Sequence, residues 1–170
     1  MKRIPKRILS ICDQFLSVIL IVLMVVLVAS VTWQVASRYL LRDPSPWTEE
    51  IARFALIWIG MLGAAYAYRT RAHLGLDLLA NKLTGSARDV LELTVAVTII
   101  FFAVSVMIVG GTKLALLTLE LGQLSAVLGI RMAVIYLAIP VSGILITFFA
   151  ISNVVIAIVD MRKRRGGVRV

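Results

Sequence analysis

One histidine, one cysteine and nine acidic residues are all that this 170-residue chain offers for metal or acid–base chemistry. His73 and Cys12 cannot supply a bis-histidine haem site or a multi-ligand metal site. A lone cysteine also matches no disulfide or zinc spacing. No Gly-rich phosphate loop follows a strand, because no strand is apparent, and no Ser/His/Asp set can be placed on spacing evidence. Catalysis is therefore poorly supported and no cofactor is expected. An ion or proton carrier would place a carboxylate near the bilayer centre. Asp13, Glu49, Glu50, Asp89, Glu92 and Asp160 instead fall near the ends of apolar segments, and Glu120 falls in a segment read as interfacial.

The densest charged constellation is Glu49, Glu50 and Arg53. At helical spacing Arg53 lies four residues from Glu49 and three from Glu50, so all three can meet on one face. Such a group is either a self-satisfied ion pair at the lipid headgroups or a polar contact with another helix or subunit. His73 and Asp77 are also four apart, and read first as a neutral interfacial imidazole beside a helix-capping aspartate. Trp47 belongs to the headgroup belt where tryptophans collect. Trp58 lies three turns deeper and is suited to packing. Gly60, Gly63, Ala64 and Ala67 form a small-residue seam of the kind that lets membrane helices approach closely.

These residues need apolar elements to hold them. The chain is 61% apolar, with a mean hydropathy of +0.99, above the roughly half-apolar composition of a soluble domain. Its charge-free runs are Gln14–Ser37, Phe54–Tyr68, Leu93–Thr112 and Met132–Val159. The second is too short to span a hydrocarbon core about 30 Å thick. Starting it at Pro46, with Ser45 as a possible N-cap, gives a long enough helix and places Glu49, Glu50 and Arg53 in its first two turns, where glutamates complement the positive helix N-terminus. The expected architecture is one all-α integral membrane domain over 1–170. It has four transmembrane helices at about 14–39, 46–68, 89–112 and 131–160, and short interfacial segments at about 73–83 and 113–130. Leu117, Leu121, Leu124 and Leu128 recur at 4-3-4 spacing through the latter, one helical stripe, so Lys113–Ile130 reads as an outward extension of helix three plus an interfacial segment. A fifth span is the alternative, and it would move the basic C-terminus outside. Ser86 and Asp89 have capping-box spacing at the start of helix three. Helix four is expected to tilt or to kink at Pro140, and no internal repeat of the inverted-transporter type is visible.

The net charge of +9 is distributed by topology. Thirteen basic residues lie on the side of the termini and of the connection between helices two and three, against four (Arg38, Arg42, Lys113 and Arg131) on the other side. Basic residues are retained in the cytoplasm, so both termini are expected there. This pattern argues against nucleic-acid binding, and anionic lipid is the expected surface partner. The first run is too long for a cleavable signal peptide and is expected to stay as an anchor.

Three stretches, Trp47-Thr-Glu49-Glu50-Ile-Ala-Arg53, Trp58-Ile-Gly-Met-Leu-Gly63-Ala64-Ala65 and Arg69-Thr-Arg-Ala-His73-Leu-Gly-Leu-Asp77, resemble in order and spacing the DctQ-like small membrane subunit of tripartite ATP-independent periplasmic (TRAP) transporters. The resemblance implies a bacterial inner-membrane subunit that binds no substrate itself. Its implied partners are a large multi-span membrane subunit, which carries the substrate and sodium sites, and a periplasmic substrate-binding protein that captures an organic acid, often a C4-dicarboxylate or a sialic acid. It further implies that Glu49, Glu50, Arg53, Arg69, His73 and Asp77 fix helix two and its flanks in the assembly. Two other readings compete. A small multidrug-type exporter would carry a carboxylate inside helix one, and Gln14–Ser37 has none. A respiratory membrane anchor would usually need paired histidines, and only His73 exists.

Overall fold

The computed structural model describes residues 4–70 and 86–165. It is helical throughout apart from connections and one isolated bridge. α1 (Ile4–Ala36) runs into a π-helical turn, Ser37–Leu41. Arg42 then takes a left-handed conformation with φ of 55°. Pro44, which has no N–H for a helix ladder, completes the break. α2 is Pro46–Arg69, with proline at its first position, where the missing donor has no helical partner to lose. α3 (Ser86–Phe102) continues through a π-helical segment, Ala103–Gly110, into α4 (Gly111–Glu120). α5 (Met132–Tyr136) and α6 (Ala138–Arg165) form the last helical stretch. The interfacial helix expected at 73–83 lies outside the described residues.

Among the described residues four stretches are long and apolar enough to cross a bilayer: Ser10–Leu41, Pro46–Arg69, Leu93–Glu120 and Met132–Val155. The two shortest, 24 residues each, are about 36 Å at 1.5 Å per residue and exceed a ~30 Å core. Polar contacts identify the two ends. The start of α2 and the 121–131 connection meet at one, here the loop end, while Asp13, Arg69 and Phe149 meet towards the other.

Two boundaries have clear local causes. The third span stays helical to Glu120, and the 113–130 segment divides there into a continuation of that helix and a connection. The leucine stripe is helical through Leu117, but Gly122 takes a φ of 61° and Gly129 a φ of 64°, conformations that glycine adopts without a Cβ penalty. Between them the chain forms a hairpin-like loop. Ser125 N–H donates to Ile130 O at 2.8 Å and Met132 N–H to Gln123 O at 3.0 Å. The last stretch is interrupted at Leu137, three residues before Pro140. Proline has no N–H to donate to the Tyr136 carbonyl and its ring crowds that carbonyl, so the helix resets one turn upstream of the proline itself.

The spans pack as an open row. α1 packs on α2, α2 on α6, and α6 on α3 and the Ala103–Gly110 segment, while α1 does not reach α3 among the described residues. Leu16, Leu62, Ala65, Ala103, Met107, Ile146 and Phe149 make the buried core along this row. α6 approaches the third span at two glycines. A Cβ on Gly143 would sit 2.8 Å from Met107 Cβ, and one on Gly111 2.8 Å from Ile139 Cγ2 and 2.9 Å from Pro140 Cδ. An open row buries its members unequally: 11% of the first span's most apolar stretch is covered, against 44% of the fourth's.

Candidate subunit interface

α2 presents two unlike faces. Ala52, Ala55, Leu62 and Ala65 are buried against the rest of the molecule, and half-buried Trp58 packs against the same core. Glu49, Arg53, Leu56, Gly60 and Ala64 are exposed, with Gly63 and Ala67 half-buried beside them. Nothing lies within 4 Å of a Cβ built on Gly60 or Gly63. The small-residue seam therefore faces outward, and the close approaches inside the chain use Gly111 and Gly143 instead. Neither of those was singled out from sequence as a packing position, because a glycine's neighbour on another span leaves no local spacing signal.

At the loop end the three charges of α2 separate. Arg53 Nη2 donates to Glu49 Oε1 at 2.9 Å, one turn apart and both well exposed. Glu50 does not join them. Its carboxylate accepts the main-chain N–H groups of Ala126 at 3.0 Å, Val127 at 3.3 Å and Leu128 at 2.7 Å. Successive N–H groups converging on one anion form a main-chain nest, here filled by a side chain 76 to 78 residues away. Trp47 stands beside them, exposed. Ser45 occupies the N-cap position but its side chain makes no capping bond. Its hydroxyl joins a buried chain instead, 3.1 Å from Ser37 Oγ and 2.9 Å from Thr48 Oγ1, while Ser37 donates to Gln34 O and Thr48 to Ser45 O. This hydroxyl chain staples the end of the first span to the start of α2.

Towards the other end Arg69 lies 3.2 Å from Asp13 Oδ1 and 5.9 Å from the ring of buried Phe149. One guanidinium thus touches α1 and α6 from α2. Asp13 had read as a plain helix-end acid. Its only advance signal was a charge opposite to Arg69 at the same end of the membrane. Ser142, fully buried, donates to Met61 O at 2.6 Å and joins α6 to α2 mid-span. His73 and Asp77 lie outside the described residues. Among the described residues no three His, Cys, Asp or Glu side chains are grouped to hold a metal ion. The arrangement offers charge pairing between elements, a small-residue face of α2 that the chain itself leaves open and a shaped loop.

The comparisons agree with a role in an assembly. The family model for the DctQ component of tripartite ATP-independent periplasmic transporters matches residues 27–159. The sialic acid TRAP transporter small permease protein SiaQ of Vibrio cholerae serotype O1 is 30% identical over 105 residues, 62% of this chain and 61% of that protein. The C4-dicarboxylate TRAP transporter small permease protein DctQ of Rhodobacter capsulatus is 29% identical over 103 residues, 60% of this chain and 44% of that protein. A 55-residue stretch is 34% identical to the sialic acid TRAP transporter permease protein SiaT of Haemophilus influenzae, covering 32% of this chain and 9% of that protein. The chain thus spans less than two thirds of the length of each of these relatives. With four apolar spans, and with a family model covering most of its length, the chain belongs to the DctQ component family of tripartite ATP-independent periplasmic transporters.

Proposed function

We propose that this chain is the small transmembrane subunit of a secondary transporter for an organic acid of the sialic acid or C4-dicarboxylate class, coupled to sodium. It packs against a large multi-span subunit that carries the substrate, widens that subunit's scaffold, and helps form the surface where a periplasmic binding protein docks. It lies in the bacterial inner membrane with both termini cytoplasmic, so the loop end faces the periplasm. It binds no substrate and catalyses no reaction.

The substrate classes come from the names of relatives, and the orientation from the distribution of basic residues. The observation that carries the subunit role is the uncovered face of α2. Glu49, Arg53, Leu56, Gly60, Gly63 and Ala67 follow 4-3-4-3-4 spacing, the seam of a helix that packs lengthwise against another. A membrane helix covered only by lipid gains nothing from two glycines and an ion pair on that face, whereas a neighbouring helix gains close contact.

The test is affinity purification of the tagged chain from its native membrane in mild detergent, with mass spectrometry of what accompanies it. A large multi-span protein in roughly equal amount is expected. Recovery of the chain alone, or as a homo-oligomer, would rule the subunit role out.

A further inference from the structure

The 121–131 loop closes its own base but not its tip. At the base, Ser125 N–H bonds Ile130 O, Ile130 N–H bonds Ser125 Oγ and Met132 N–H bonds Gln123 O. At the tip, the N–H groups of Ala126, Val127 and Leu128 find their acceptor in Glu50 of α2. Main-chain donors of this kind adopt one arrangement when a single anion collects them and many when water does. With Gly122 and Gly129 flanking the tip, the backbone has freedom to leave that arrangement. The loop also carries apolar side chains outward: Val127 at the tip and Leu124 at the base are at least half exposed, and Ile130 at the base is exposed. Glu49, one residue earlier, is engaged by Arg53 and has no part in the loop.

We infer that Glu50 is a positioning residue, which holds the tip of the 121–131 loop in one conformation so that the periplasmic binding protein meets a preformed surface there. The inference rests on the proposed orientation and docking role, and it deepens them by naming the device that shapes the surface. A loop ordered before the encounter loses less conformational freedom on binding, so affinity rises without any new contact. Glu50 itself need not touch the partner.

The experiment compares the intact transporter assembly, reconstituted in lipid, with its Glu50→Gln, Glu50→Asp and Glu49→Gln variants. The first reading is hydrogen exchange at the amides of 126–128. Glutamine keeps one acceptor oxygen and turns a donor toward the nest, so exchange there should quicken about tenfold while the core of α2 stays protected. Glu50→Asp keeps the charge but shortens the reach by one methylene. It should show a smaller rise, and it carries the test if the glutamine variant assembles poorly. Glu49→Gln should leave these amides as they are. The second reading is uptake against binding-protein concentration, where Glu50→Gln should raise the half-saturating concentration about fivefold with little change in maximal rate. Unchanged exchange at 126–128 in both Glu50 variants would overturn the latch itself. Faster exchange with an unchanged half-saturating concentration would leave the latch standing and overturn the docking role of the loop.

Discussion

Glu49 and Arg53 lie one turn apart on an open face of α2, and their 2.9 Å pair joins side chains 57% and 66% exposed. Exposed pairs at this spacing couple by only about 0.3–0.5 kcal/mol. Asp13 and Arg69 stand on different helices, are 31% and 27% exposed, and share the guanidinium with the ring of Phe149. Partial burial strengthens the attraction and makes a lone remaining charge more costly. A double-mutant cycle on Asp13→Asn and Arg69→Gln, read by unfolding in one detergent, should therefore return about 1–2 kcal/mol of coupling. The same cycle on Glu49→Gln and Arg53→Gln should stay below about 0.5 kcal/mol. Equal couplings would mean that the interhelical contact is worth no more than a surface pair. The two pairs also differ in legibility. Glu49 and Arg53 are separated by one turn of one helix, which sequence spacing displays. The partners of Arg69, Glu50 and Ser142 lie on other elements, so only the packing of the row reveals them.

Element boundaries were legible where prolines or glycines act within one turn, and less so where two signals compete. Pro46 opens α2 with its charged first turns inside the helix. From Lys113 onward the leucine stripe argues for helix, while Gly122 and Gly129 argue for a loop. The stripe prevails to Glu120, and the left-handed glycines prevail after it. The π-helical segment at Ala103–Gly110 had no sequence signature, yet it lies against α6 where Gly143 has no room for a side chain. A methyl at Gly143 would meet Met107 Cβ at 2.8 Å and the Ala103 carbonyl at 3.2 Å, and the second of these is backbone that cannot rotate away. Gly143→Ala should accordingly destabilise the chain by about 1–3 kcal/mol through overpacking, despite alanine's better helix propensity. A lower melting temperature in detergent is the expected reading; a rise would show that the third span and α6 can separate without loss.

An open row of four helices differs from a closed bundle in what it leaves outside. Four apolar runs and the charge bias were enough to read an all-α membrane chain, because hydrocarbon thickness and helical rise leave few alternatives. They could not say which face of α2 turns inward, since that helix carries small residues on both sides: Ala52, Ala55 and Ala65 inside, Gly60, Gly63 and Ala64 outside. This asymmetry permits a test that separates folding from assembly. Gly60→Ile with Gly63→Ile adds two branched side chains where nothing lies within 4 Å. A Cβ at either position meets no other element of the chain, so its yield and melting temperature when expressed alone should hold within about 1 kcal/mol. A neighbouring helix seated on that face would be pushed away, so recovery of the large subunit with the tagged double variant should fall at least about tenfold. Paired with Gly143→Ala, whose effect belongs to the chain itself, the double variant makes the contrast complete. Loss of stability without the partner would place the seam inside the fold, whereas full recovery of the partner would move the assembly surface to another helix, with the sparsely covered α1 next in order.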